Sequence, residues 1–333
     1  MSSSPRRPAS SLGALVATVA VLAGCSGGGA QPLVPVATPA TAPRPTTTPA
    51  GDVLPAAAVR ALAVDPATRT LAVAGEDRVL LSGLGDPGAA SREVPLPGPA
   101  ATLTVAGAVL LVAGAGSVTE IGLPGGVPGD VIDLDGPVWA AVRVGSRTVV
   151  ALGTAVAVRE MDGAVRLIGG FAEAAELVPV GNRVVVLDRA RTSLTLLDPA
   201  ASEAGPALRV GDGATNAVGD RFGRILVLDT REGELLVVAG DPLLLRQRYP
   251  VPGSPYGLAY DAQRDLAWIT LTARNEVIGL DVAGGQPVER YRYPTVQQPD
   301  SVAVDPWSGQ VFVGSAAGAG LQVIDPRQVM WGE

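Results

Sequence analysis

Three observations predict an all-β fold built from repeats. Seven short apolar segments, each ending at a turn, recur at intervals of 36 to 44 residues, with a mean of 40. Around them lie runs of four to six residues rich in β-branched types and bounded by Asp-Pro or glycine turns. Helical periodicity is nearly absent. A period near 40 marks arrays of small sheets. Four short antiparallel strands per unit, stacked radially, bury faces that one isolated sheet would expose. The sequence therefore predicts a seven-bladed β-propeller of four-stranded antiparallel blades.

The chain starts with a segment outside this array. Arg6 and Arg7 precede an uncharged, mostly apolar stretch over residues 12–22, which leads into Leu22-Ala23-Gly24-Cys25. Charge, a short apolar run and small residues, in that order, read as an export signal. The run is eleven residues long, short of the roughly 18 that a membrane-spanning helix needs. Leu22, Ala23, Gly24 and Cys25 closely resemble a lipobox. That resemblance to bacterial lipoproteins implies cleavage before Cys25, acylation of its thiol and new amino group, and a lipid anchor on the extracytoplasmic face of the cell membrane. Residues 1–24 are thus expected to be a signal peptide, with general or twin-arginine export left open.

Proline, threonine and alanine supply 16 of the 25 residues from 26 to 50, and Arg44 is the only charge there. Such a composition cannot bury a core, so this segment is expected to be an extended or disordered linker. At about 3.1 Å per residue it would reach roughly 70–80 Å from the anchor.

The units follow from residue 51 to the end. Their leading segments are 60–65 (RALAVD), 101–106 (ATLTVA), 140–145 (AAVRVG), 176–181 (ELVPVG), 215–220 (TNAVGD), 256–261 (YGLAYD) and 300–305 (DSVAVD). The last unit has three clear strands, so a ring needs a fourth from elsewhere. Residues 51–54 (GDVL) are the preferred closing strand, because that pairing removes an exposed edge; residues 329–331 are the alternative. Residues 302–326 (VAVDP, QVFVGS, LQVIDP) are similar to the YVTN-type repeats of seven-bladed propellers, including YncE-like proteins. The whole chain is similar to propeller lipoproteins of mycobacteria and their relatives. These resemblances imply the fold more sharply than a function, because propellers host many activities.

Composition narrows the chemistry. The chain of 333 residues contains no histidine and no lysine, and Cys25 is its only cysteine. Disulfides are excluded. The usual general base at neutral pH is missing, as is the commonest ligand of zinc, copper and non-haem iron. Once the signal segment with its two arginines is removed, 23 basic and 32 acidic groups leave a net charge of −9. Binding to nucleic acid by charge is therefore not expected. No catalytic constellation, no cofactor motif and no metal site stand out, and a monomer is expected.

Propeller ligands enter at the channel mouth, on loops leading into the innermost strands. The entry positions of the seven segments are Arg60, Ala101, Ala140, Glu176, Thr215, Tyr256 and Asp300, with Trp139 and Asn216 one step away. Arg60, Trp139, Glu176, Asn216, Tyr256 and Asp300 form the candidate ligand site, suited to a polar small molecule or glycan. Elsewhere, Asp65, Asp198, Asp305 and Asp325 stand before prolines and read as caps of the turns that follow strands. Glu173 and Glu176 are close enough in sequence for an acid–base pair, although solvated loop charges explain them more simply. Gly27, Gly28 and Gly29 read as linker, and Gly125 and Gly126 as a turn. Tyr291 and Tyr293 alternate with arginines as on a solvent-facing outer strand.

The expected function is a non-enzymatic scaffold at the cell envelope, binding a protein, glycan or small molecule. The alternative is a propeller enzyme acting on a polar small molecule, such as a calcium-dependent lactonase using carboxylate and amide ligands. Lyases and sugar dehydrogenases of this architecture typically use histidine, which the chain lacks.

Overall fold

The computed structural model describes Met1 and residues 33–89 and 91–328. The chain divides into two compact units, Met1–Pro32 and Leu33–Glu333, and only the second is described beyond its first residue. The expected signal peptide, Leu22, Ala23, Gly24 and Cys25, the glycines 27–29 and the alternative closing segment 329–331 lie outside the described residues.

Every regular element among the described residues is a β-strand, and every strand pairing is antiparallel. Five sheets have four strands and one has seven. A representative sheet runs in sequence order through Ala61–Asp65, Thr70–Ala74, Arg78–Gly83 and Arg92–Pro95. The seven-stranded sheet contains one long strand, Val165–Val180, which pairs first with Gly153–Arg159 and then, from Ala174 on, with Arg183–Asp188. One continuous strand thus serves two neighbouring repeats. The architecture is an all-β propeller of four-stranded antiparallel blades.

The core lies between sheets. Second strands such as Thr70–Ala74, Leu266–Leu271 and Val311–Ser315 are buried at every residue. They read as unbroken apolar runs because a sheet packs against each of their faces. Outer strands alternate instead, as in Leu243–Pro250, because one face meets water. Leu226 and Leu228 pack on Ala267, Ile269 and Leu271 of the next sheet, and Phe312 packs with Val59, Leu71 and Val73 across the closure.

Residues 52–54 close the ring, as expected. Asp52–Leu54 pairs with Leu321–Ile324 and completes the sheet of the last unit. Gly51, at φ +69°, makes this approach possible, since a Cβ there would lie 2.2 Å from the Val323 carbonyl oxygen.

The second half of the expected linker departs from a free leash. Residues 33–50 are extended and without regular structure, but they lie along the ring as a strap. The Val34 amide donates to the Ala190 carbonyl at 2.8 Å. The Ala40 amide donates to Ser254 Oγ at 3.0 Å and Thr272 Oγ1 at 3.1 Å. Asn275 Nδ2 donates to the Pro43 carbonyl at 2.8 Å, and Gln322 Nε2 to the Ala50 carbonyl at 2.7 Å. Proline-rich chain has no internal hydrogen bonds, so its amides and carbonyls are free to pair with the ring. Gly213 leaves room for it: a Cβ there would lie 3.1 Å from the Ala37 Cβ and 2.5 Å from that of Arg231.

Two further readings change. Tyr293 is buried and Tyr291 half-buried, so neither stands on an open solvent face. They stack with Trp268, at centroid separations of 5.5 and 6.4 Å, Tyr293 within the core between the last two units and Tyr291 packed against it. The alternation holds, with the rings turned toward the neighbouring sheet. Arg290 and Arg292 take the outer face, on Asp281 and on Glu276 and Glu289. Glu176 is likewise no solvated loop charge, as its place in the site shows.

The turn-capping aspartates behave as expected. Asp65 accepts from the amides of Ala67 and Thr68, Asp198 from Ala200 and Ala201, and Asp305 from Trp307 and Ser308. Asp325 accepts from the amide and side chain of Arg327. Gly126 occupies the turn between Ser117–Gly122 and Val127–Asp133.

Candidate functional site

The inner strands of all repeats begin at one end of the ring, and their first residues open into a cavity of about 670 Å³. Arg60, Trp139, Glu176, Asn216, Tyr256 and Asp300 all line it. Six residues spread over 241 positions of sequence are thereby brought together. Ala101 also lines the cavity, whereas Ala140 and Thr215 are absent from its wall, their places taken by the neighbouring Trp139 and Asn216.

Backbone irregularities explain which side chain points inward. Register shifts fall between Ala100 and Thr102, Ala174 and Glu176, Ala214 and Asn216, Pro255 and Leu258, and Pro299 and Ser301. An extra residue at the start of an inner strand re-aims the side chains around it. Asp300 is itself such an extra residue. Thr215 is another, and its hydroxyl is buried against Thr230 Oγ1 at 2.6 Å, which leaves Asn216 to face the cavity.

At three seams of the mouth, side chains reach the backbone of a neighbouring repeat. Thr102 Oγ1 donates to the Trp139 carbonyl at 3.0 Å. Asn216 Nδ2 donates to the Tyr256 carbonyl at 2.8 Å, and Arg189 Nε to the Thr215 carbonyl at 2.7 Å. Such bonds satisfy backbone groups at the ends of the strands and hold the wall rigid.

The charges differ in their partners. Arg189 Nη2 donates to Glu176 Oε1 at 2.7 Å, and both side chains are largely buried. Burial pushes the Glu176 carboxyl above its usual range, against the pull of the Arg189 guanidinium. Glu173 is also pushed up by burial, but its amide and carbonyl serve Asp188 and the Arg189 amide, and it does not line the cavity. The Glu173–Glu176 pairing is therefore not a feature of the wall. Arg60 is spent on exposed Glu76, its Nε donating at 2.7 Å.

Asp300 stands apart. Among the described residues no guanidinium lies within ion-pair distance of it, and its donor is the neutral Gln298 Nε2 at 2.8 Å. Burial pushes its carboxyl above the usual range, with the Gln298 hydrogen bond and the charge of Arg60 opposing. Burial also raises the Tyr256 phenol, so it is a neutral hydroxyl donor at ordinary pH.

The wall thus offers two carboxyls, a phenol, an amide and an indole in a concave space of small-molecule size. Carboxyl and phenol groups exchange hydrogen bonds with hydroxyls, and aromatic rings cover apolar faces. Arg189 and Gln298 were not anticipated. Arg189 lies on a loop between second and third strands, and Gln298 lies before the entry position, so neither falls in register with the repeats. Among the described residues, no group of three or more acidic side chains is placed to hold a metal ion.

No protein-family model and no curated protein matches the chain. Solved structures do. The β-propeller domain of Cps50 (Swd1) from Myceliophteria thermophila superposes with a TM-score of 0.72 at 14% identity, covering 82% of this chain and 97% of that one. Hydrazine synthase of Kuenenia stuttgartiensis gives 0.69 at 16% identity, covering 84% and 98%. A streptogramin B lyase gives 0.67 at 10% identity, covering 83% and 96%. At these identities the likeness establishes the propeller fold and nothing about chemistry.

Proposed function

We propose that this chain is an extracytoplasmic lipoprotein, anchored through acylated Cys25, whose propeller binds a hydroxyl-rich small molecule or glycan without transforming it. The ring is read as seven-bladed and of the YVTN/YncE-like kind, with Val165–Val180 serving as the outermost strand of one blade and the innermost of the next. One observation carries the binding function: the entry positions of six repeats converge on a single cavity and line it with hydrogen-bonding and aromatic groups. A wall chosen only for solubility would not need Trp139, nor carboxyls raised by burial at Glu176 and Asp300.

The calcium-dependent lactonase alternative requires free, converging carboxylates. Glu176 is engaged by Arg189 and Asp300 by Gln298, which leaves the enzyme reading without a specific support. Calorimetric titration of the soluble ring with a panel of monosaccharides, polyols and short glycans tests the proposal. A ligand is expected whose affinity falls about tenfold or more in Asp300→Ala and Trp139→Ala, as for hydrogen-bond and aromatic anchors. Silence across the panel, or lactone turnover abolished by chelator, would reject it.

A further inference from the structure

The strap fixes which face of the ring the chain leaves from. In an antiparallel four-stranded unit, the loops before the first strand and between the second and third strands share one end. Along 34–43 the hydrogen bonds of the strap go to loops of these kinds, including Ala190, Arg231, Ser254, Thr272, Asn275 and Gln298. That end is where the cavity opens, and Ala190 adjoins Arg189 of the cavity wall. The strap follows the rim without lining the cavity, and exposed Leu33 is its first described residue. The opposite face carries the turns of Phe222 and Trp307, both exposed, and no strap residue bonds to it.

The remaining leash is short. Seven residues separate Cys25 from Leu33, a reach of at most about 30 Å when fully extended. Placing the opposite face on a bilayer would take the chain outward past two strands, about 10 Å, and down strands of five to seven residues, about 20 Å. That path consumes the whole leash. We propose that the docked strap turns the cavity mouth toward the anchoring membrane, so that the site samples polar groups presented at that lipid surface and the Phe222 and Trp307 face points away. This rests on acylation of Cys25.

Because Cys25 is the only native cysteine and its thiol would be acylated, a second cysteine can be labelled alone. Ala317→Cys places a donor fluorophore on the mouth face and Ala262→Cys one on the opposite face, both at exposed positions. The full acylated chain, in vesicles carrying a headgroup-labelled acceptor lipid, should lose more donor emission with the Ala317 label than with the Ala262 label. A flexible insert of about 20 residues after Pro32 should erase the difference. Equal transfer, or stronger transfer from Ala262, in a protein shown by mass spectrometry to carry lipid overturns the orientation alone. Absence of lipid on Cys25 overturns the anchor and the orientation with it.

Discussion

Gln298 holds Asp300 with one end of its amide and the strap with both. Its Nε2 donates to Asp300 Oδ1 at 2.8 Å and to the Ala40 carbonyl at 3.0 Å, while its Oε1 accepts from the Ala42 amide at 2.9 Å. Its backbone is left-handed, at φ +55°. Replacing it by alanine removes the donor that Asp300 has among the described residues, and two strap bonds, but leaves the backbone strain. We expect Gln298→Ala to cost about 1–3 kcal/mol and to raise the Asp300 pKa further. Gln298→Gly should raise that pKa equally yet be about 0.5–1 kcal/mol less destabilised, since glycine accepts positive φ. Urea unfolding and NMR titration of the Asp300 carboxyl check both, and an unmoved pKa would sink the link.

Glu176 and Arg189 form the most buried ion pair of the mouth. Removing one member leaves the other without its counter-charge in a poorly hydrated place, which costs more than the pair itself contributes. Glu176→Gln and Arg189→Met should each destabilise by about 2–4 kcal/mol, while the double variant should recover part of that loss. A double-mutant cycle by chemical denaturation measures the coupling, and strictly additive losses would show that the two side chains do not depend on each other.

Much of this was legible in the sequence, for identifiable reasons. Repeats such as 256–261 and 300–305 announce themselves because each inner strand needs the same burial pattern and the same turn. The six candidate wall residues could be found because the start of an inner strand maps to one end of the ring. Local direction is what the sequence leaves undecided. Whether Thr215 or Asn216 faces the cavity depends on a bulge that adds no distinctive residue. Tyr291 and Tyr293 alternate with arginines in a way that fits either face, and only packing on Trp268 decides it. Residues 33–50 carry the composition of a free linker, because hydrogen bonding to the ring uses backbone groups that every residue has.

Asp305 joins the last repeat to the first. Its side chain is fully buried, caps its own turn through the Trp307 and Ser308 amides, and accepts from Arg69 Nη1 at 2.6 Å. Burial opposes its charge, but the Ser308, Trp307 and Arg69 hydrogen bonds win and hold its carboxyl below the usual range. A folded pKa below the unfolded one gives stability that is present above the unfolded value, about 3.9, and is lost as pH falls through the folded value. Raised Asp300 has the opposite sign: it disfavours the fold at neutral pH and is relieved by protonation as pH falls. Asp305→Asn should therefore flatten the acid limb of the stability curve, and Asp300→Asn should raise stability near neutral pH. Thermal melts between pH 3 and 7 distinguish the two.

The strap and the closing strand should contribute unequally. Deleting residues 33–49 removes the rim hydrogen bonds but leaves Ala50 against Pro294 and the pairing of Asp52–Leu54 with Leu321–Ile324. Deletion through residue 54 also uncovers the edge of Leu321–Ile324, which carries unpaired amides and carbonyls beside an apolar core. The shorter truncation is expected to remain monomeric and fold with a melting temperature lower by several degrees, since a loss of about 1–2 kcal/mol moves a domain of this size by about 2–8 °C. The longer one should associate edge to edge. Light scattering separates the outcomes: two equally monomeric truncations would mean that ring closure does not rest on the N-terminal strand.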